Sequence, residues 1–145
     1  MARLVAWILA AVSVCAVVAC SRPEPGPPVS IAATSYRGLP SDAPTSPTLP
    51  GGASAIWRGA TIELTLWGSS SCPAVPVALA VRDPATIEVT VDVGRQRRRA
   101  CTTDISAITS VLVLPDGLRP AAVLTVWLVG FDRPLKLEAP SVPAR

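Results

Sequence analysis

The chain has 145 residues, half of them apolar and only 4% aromatic, with 16 prolines and a formal net charge of +3. That length is a prior for one domain, and so mild a charge does not by itself imply a polyanionic partner. There is no histidine, which excludes a histidine-based catalytic triad, an imidazole general base and a histidine-ligated metal site.

The first segment reads as an address. In MARLVAWILAAVSVCAVVAC (1–20), Arg3 is the only charge, and Leu4 to Ala19 is an uncharged run of 16 residues. A short positive stretch followed by an apolar one is the pattern of a secretory signal. A spanning helix needs about 20 apolar residues, so an uncleaved membrane helix is the weaker alternative. A single arginine leaves twin-arginine export without its signature. Val17-Val18-Ala19-Cys20 resembles the bacterial lipobox. That resemblance implies that residues 1–19 leave as a signal peptide and that the Cys20 thiol carries a diacylglyceryl thioether and palmitate-like chains. The protein would then sit on the outer face of the bacterial cell membrane. The residue types suit the chemistry: only a thiol is nucleophilic enough, and small Ala19 admits a peptidase. Cys15, preceded by bulky Val14, is a poorer candidate. Each buried methylene contributes about 0.8 kcal/mol, so two acyl chains anchor stably where one is marginal.

Residues 20–50 read as the lipidated cysteine and a proline-rich linker. Residues 21–50 hold eight of the 16 prolines and show no sustained period of 2 or 3.6. Such composition favours an extended, disordered spacer. At about 3.1 Å per residue, thirty residues hold a domain up to roughly 90 Å from a bilayer. The alternative is that Ser30 to Tyr36 docks on the domain as an extra strand.

A domain is expected over 51–140, with a short tail at 141–145. TIELTLW alternates Ile62, Leu64 and Leu66 against Thr61, Glu63 and Thr65. TIEVTVDV alternates Ile87, Val89, Val91 and Val93 against Thr86, Glu88, Thr90 and Asp92. Strict alternation with β-branched enrichment predicts half-buried strands. VPVALAV (75–81), SVLVL (110–114) and AVLTVWLV (122–129) are more continuously apolar and fit central strands buried on both faces. PLKLEA (134–139) alternates again. Turn-forming segments separate these runs: GSSSCP, RDPA, VGRQRR, LPDGLRP and GFDRP. About seven short strands so spaced predict an all-β antiparallel sandwich, immunoglobulin-like in the broad sense, with a partly open barrel as the alternative.

With Cys20 assigned to lipid, Cys72 and Cys101 remain for one intradomain disulfide outside the cytoplasm. It would close a loop of about 30 residues, worth roughly 3.6 kcal/mol in the chain-entropy estimate. The alternative is a free thiol at Cys101, its pKa lowered by neighbouring arginines.

The candidate functional residues each have a plainer reading. Ser69, Ser70 and Ser71 offer hydroxyls, but a serine nucleophile needs a base. Only Lys136 or a carboxylate remains for that task, and Lys136, between Leu135 and Leu137, is expected to face solvent. A polar loop explains the serines. Glu63, Glu88 and Asp92 provide the carboxylates a small envelope hydrolase would need, yet all three fall on the polar faces of strands. Arg95, Arg97, Arg98 and Arg99 crowd a predicted hairpin tip. Outside the cytoplasm they suit anionic lipid, a wall polymer or an acidic envelope protein; nucleic acid is not expected, and no aromatic interleaving suggests base stacking. Otherwise the arginines are a solvated tip. Trp127, inside an apolar run, and Trp67, beside GSSSCP, are expected in the core; an exposed Trp67 would mark a contact site.

LWGSSSCPAVP (66–76), followed some thirty residues later by ACTTDISAITSVLVLP (100–115), resembles small secreted and lipid-anchored actinobacterial proteins with a WGSSSCP segment ahead of a cysteine in a CT.D context. The resemblance implies a secreted β-domain with a Cys72–Cys101 bridge and carries over no catalytic residue. The resulting expectation is a membrane-anchored lipoprotein with no cofactor and no enzymatic activity, acting as a binding or accessory module of the envelope. A purely structural envelope protein is a further alternative.

Overall fold

The computed structural model describes residues 29–43, 52–94, 100–120 and 122–141. They form eight strands: β1 (Thr34–Arg37), β2 (Ala53–Arg58), β3 (Thr61–Gly68), β4 (Val75–Asp83), β5 (Thr86–Asp92), β6 (Ser106–Val113), β7 (Val123–Val129) and β8 (Leu135–Pro140). They lie in two four-stranded sheets, ordered β1-β6-β3-β2 and β4-β5-β7-β8, which do not close into a barrel. The fold is the expected small β-sandwich.

Alternation builds the core. Ile62, Leu64 and Leu66 of β3 and Leu112 of β6 face inward from the first sheet. Ile87, Val89 and Val91 of β5 meet them from the second sheet, together with Leu124, Val126 and Leu128 of β7. Full burial of each such side chain stabilises by about 1.5–3 kcal/mol. Five of the six strand pairings are antiparallel. The exception is β5 with β7, which run parallel from Thr86↔Thr125 to Thr90↔Val129. Between them the chain crosses to the other sheet as β6, and such a crossover is what a parallel neighbour requires. Gly130, just past β7, has φ +110, and a Cβ there would lie 1.9 Å from the Val91 carbonyl oxygen. Only glycine permits that approach of β7 to β5.

The linker expectation for 20–50 needs correction. Within it, Thr34–Arg37 is β1, paired with β6 from Thr34↔Val111 to Arg37↔Ile108. The alternative, docking of the 30–36 region as an added strand, is what the structure adopts. The physical reason is local. The prolines cluster at 23–28 and from 40 onward, leaving Val29 to Leu39 free of proline, and the open edge of β6 offers backbone groups to satisfy. The domain therefore begins no later than Ile31. The Ile31 amide also donates to the Pro76 carbonyl at 3.0 Å, so this segment joins the edges of both sheets. On the opposite flank Trp57 bridges to Ser141, so the first residue of the expected tail belongs to the fold.

Two further expectations are corrected. VPVALAV does not form a doubly buried central strand: β4 is an edge, largely exposed from Ala78 onward. Nor are Trp67 and Trp127 core residues. Alternation decides this: Leu66, Leu124, Val126 and Leu128 point inward, so Trp67 and Trp127 point outward, each half-buried. Trp57 is the tryptophan that packs against the core.

Candidate functional site

The GSSSC and CTTD segments meet at the end of β3, where the chain leaves for β4. Cys72 and Cys101 are joined, with Cα atoms 5.6 Å apart; a free reactive thiol at Cys101 is thereby excluded. Hydroxyls lace the two segments together beside the bridge. The Thr102 Oγ1 lies 2.9 Å from Ser69 Oγ, 3.1 Å from Ser71 Oγ and 3.5 Å from Ser70 Oγ. The Thr102 amide donates to Ser71 Oγ at 2.9 Å. The Ser71 amide turns back to Ser69 Oγ at 3.3 Å, the local side-chain bond that serine favours in turns. Asp104 completes the cluster: it accepts the Ser70 amide at 3.3 Å and the Thr102 hydroxyl.

This geometry limits the chemistry. Hydrogen bonds from Ser70 and then Thr102 hold the Asp104 carboxyl below the ordinary carboxylate range. A general base works best with a pKa near the operating pH, so Asp104 is poorly matched to activating any of the three serines. Their hydroxyls are already engaged with one another and with Thr102. The arrangement is a latch that runs in parallel with the disulfide. Sequence reading found the serines and both cysteines; it treated Thr102 and Asp104 only as part of a resemblance, because their role arises when two segments 31 residues apart meet.

The expected carboxylates do not converge. Glu63 lies on the outer face of the first sheet and is held by Arg58, Nε at 3.2 Å and Nη2 at 3.0 Å. Glu88 lies on the opposite outer face, paired with Arg82. Asp92 shares that face four residues on, about 13 Å along the strand. Lys136 is on the outer face of β8, half-exposed and 3.9 Å from Glu138. Among the described residues, no group of three or more Cys, Asp or Glu side chains is placed to hold a metal ion.

A second polar cluster has no signal in the sequence. Residues 38–43 run back across the outer face of the first sheet, from β1 at one edge to β2 at the other. Beneath this strap Thr65 and Thr109 are sealed from solvent. Their hydroxyls meet at 2.8 Å, and Thr109 donates to the Gly38 carbonyl at 2.7 Å. Arg58 clamps the far end, its Nη1 donating to Asp42 Oδ2 at 2.7 Å and its Nη2 to Asp42 Oδ1, while it also holds Glu63. The Asp42 hydrogen bond pushes the guanidinium further toward its charged form. Pro40, within the strap, is itself buried.

On the other outer face, Trp127 of β7 sits in register between Glu88 and Lys136. The Arg82 guanidinium lies 5.9 Å from its ring centroid. An arginine over an indole is a favourable cation–π geometry, and among the described residues no strap crosses this face. Trp67, the expected contact residue should it be exposed, is half-buried on the strapped face. Cys20 and the arginines Arg95, Arg97, Arg98 and Arg99 lie outside the described residues.

Comparison of the chain with protein-family models, with curated proteins and with solved structures gives no match.

Proposed function

We propose that the protein is a bacterial lipoprotein, anchored through Cys20 on the outer face of the cell membrane, that displays its sandwich as a non-catalytic binding or accessory module of the envelope. The Cys72–Cys101 bridge is the observation that carries this reading, because such bridges persist in oxidising compartments and are rare in the cytosol. It agrees with the signal-like run and with the lipobox-like Val17–Cys20. The non-catalytic part is supported by the dispersal of Glu63, Glu88 and Asp92 over two opposite faces and by the engaged serines beside a low-pKa Asp104. Binding is assigned to exposed surface on the anchored domain, the open face around Trp127 and Arg82 being the leading candidate.

Cells producing the protein are to be labelled with a palmitate analogue. The chain should carry label and lose residues 1–19. Replacement Cys20→Ser should leave an unlabelled precursor of full mass. An unlabelled native chain, or a Cys20→Ser chain of unchanged mass and mobility, would reject the anchor. Cross-linking in intact cells would then identify what the domain touches.

A further inference from the structure

A domain free from Pro50 back to Cys20 would have a thirty-residue tether. The fold removes most of that length. The Ile31 amide donates to Pro76 at 3.0 Å, Ala33 to Val111 at 2.9 Å and Gly38 to Ala107 at 2.9 Å. Beyond these, Arg58 holds Asp42, with the Arg58 side chain only 13% exposed. Ile31 to Ala43 is thus part of the sandwich, fastened to both sheets. Only residues 21–30 separate Cys20 from Ile31, the first residue bonded to a sheet.

Eleven residue steps from Cys20 to Ile31 span about 34 Å as extended polyproline-like chain and about 40 Å at the limit of backbone reach. A domain of about one hundred residues has a radius of gyration near 13 Å, hence a width of roughly 35 Å. Even drawn out, the tether is about as long as the domain is wide. We infer that the sandwich is held against the bilayer surface by its β1–β4 flank, where Ile31 meets Pro76, and that chain added after Ala43 does not extend its reach. This rests on Cys20 as the anchor point. The flank that faces the lipid presents Val29 and Ile31, 84% and 40% exposed. Partners within reach are membrane-adjacent ones; layers some 90 Å out are beyond the domain's range.

The test uses the chain from Cys20 to Arg145 with the Cys72–Cys101 bridge intact. Its Cys20 thiol is coupled to a maleimide lipid in phosphatidylcholine vesicles. The tryptophans of this chain, Trp57, Trp67 and Trp127, are all in strands of the sandwich, so energy transfer from them to a dansyl headgroup lipid reports domain height. A twenty-residue Gly/Ser insertion between Pro28 and Val29 adds a coil of about 25 Å and should lower transfer at least about twofold. The same insertion between Ser46 and Pro47 should leave transfer unchanged. Equal loss from both insertions would overturn the inference. Amide exchange gives a second measurement: Ile31, Ala33 and Gly38 should be protected, and exchange at coil rates would also overturn it. Because the coupling is chemical, neither result depends on lipidation in cells; a wrong anchor shows instead as absence of lipid on Cys20 of the native chain.

Discussion

Each outer face of the sandwich carries an arginine paired with a glutamate beside an aromatic ring, yet the two faces are built to different ends. On one, Arg58 holds Glu63 and Asp42 close to Tyr36; on the other, Arg82 holds Glu88 close to Trp127. The Arg58 side chain is 13% exposed and the Arg82 side chain 51%. The difference is the strap, residues 38–43, which covers the first face and has no counterpart on the second among the described residues. Similar residue types therefore serve as a fastening where solvent is excluded and as adaptable surface where it is not. Exposed pairs contribute about 0–1 kcal/mol, whereas hydrogen bonds to charged groups away from solvent contribute about 1.5–3 kcal/mol.

The largest expected effect is common to both faces and sets the baseline. The bridge joins the lead-in to β4 in one sheet to the lead-in to β6 in the other. Replacing both cysteines with alanine should cost roughly 3.6 kcal/mol by loop entropy, read as a drop in the urea midpoint, with protection lost on both faces together. Loss confined to one face would show that the sheets are not coupled through this corner.

Next, Arg58→Ala should cost about 2 kcal/mol and release the strap, so that the Gly38 amide exchanges faster while β5 and β7 stay protected. Thr109→Val keeps the shape but strands the Thr65 hydroxyl and the Gly38 carbonyl, for about 1.5 kcal/mol. A neutral Thr109→Val would mean that water reaches beneath the strap.

How much of this was legible in the sequence follows the same division. Strands β3 to β8, the sandwich and the disulfide could be read because alternation and cysteine count are local or arithmetic signals; β2, Ala53–Arg58, lacks a clear alternation and could not be read. The strap could not. Gly38 to Ala43 carries proline, serine and aspartate, the composition of a linker, and nothing in it announces an arginine on β2. Proline-rich composition limits regular structure; it does not prevent a segment from docking where an edge strand and a cationic side chain wait. The tryptophans show the reverse error. AVLTVWLV reads as continuously apolar, but Val123, Thr125 and Trp127 occupy the alternate positions and face outward. An apolar run does not establish burial on both faces when the neighbouring strand alternates Glu88, Thr90 and Asp92 on that same face. The hydroxyl latch lies between these cases: its serines are contiguous and visible, while Thr102 and Asp104 reach them only through folding.

A smaller effect sharpens the contrast between the faces. Arg82→Ala should cost less than about 1 kcal/mol. At 1 M salt the screening length falls to about 3 Å, so this difference should vanish there, while that of Arg58→Ala largely persists. Equal salt sensitivity of the two variants would erase the distinction drawn from burial.

The smallest expected effect is also the most direct readout of the strapped face. Tyr36 is the only tyrosine in the chain, so its ionisation can be followed by absorbance without interference from another phenol. Burial raises its pKa above the ordinary value, and the charge of Glu63 adds to this, outweighing the Thr109 hydrogen bond and the Arg58 charge that oppose it. A group whose pKa is raised by folding contributes stability that is fully present below its unfolded pKa, about 10 for tyrosine. That contribution is lost as pH rises through the higher folded value. The native midpoint should therefore lie above 10 and return to about 10 in urea. Stability should decline as pH rises above 10, and Tyr36→Phe should remove that part of the decline. Arg58→Ala should raise the midpoint further if the strap stays, since it deletes a cation that favours the phenolate; it should lower the midpoint toward the free value if the strap leaves and Tyr36 gains water. The direction of that single shift thus tells whether Arg58 is the fastening or merely a charge beneath it.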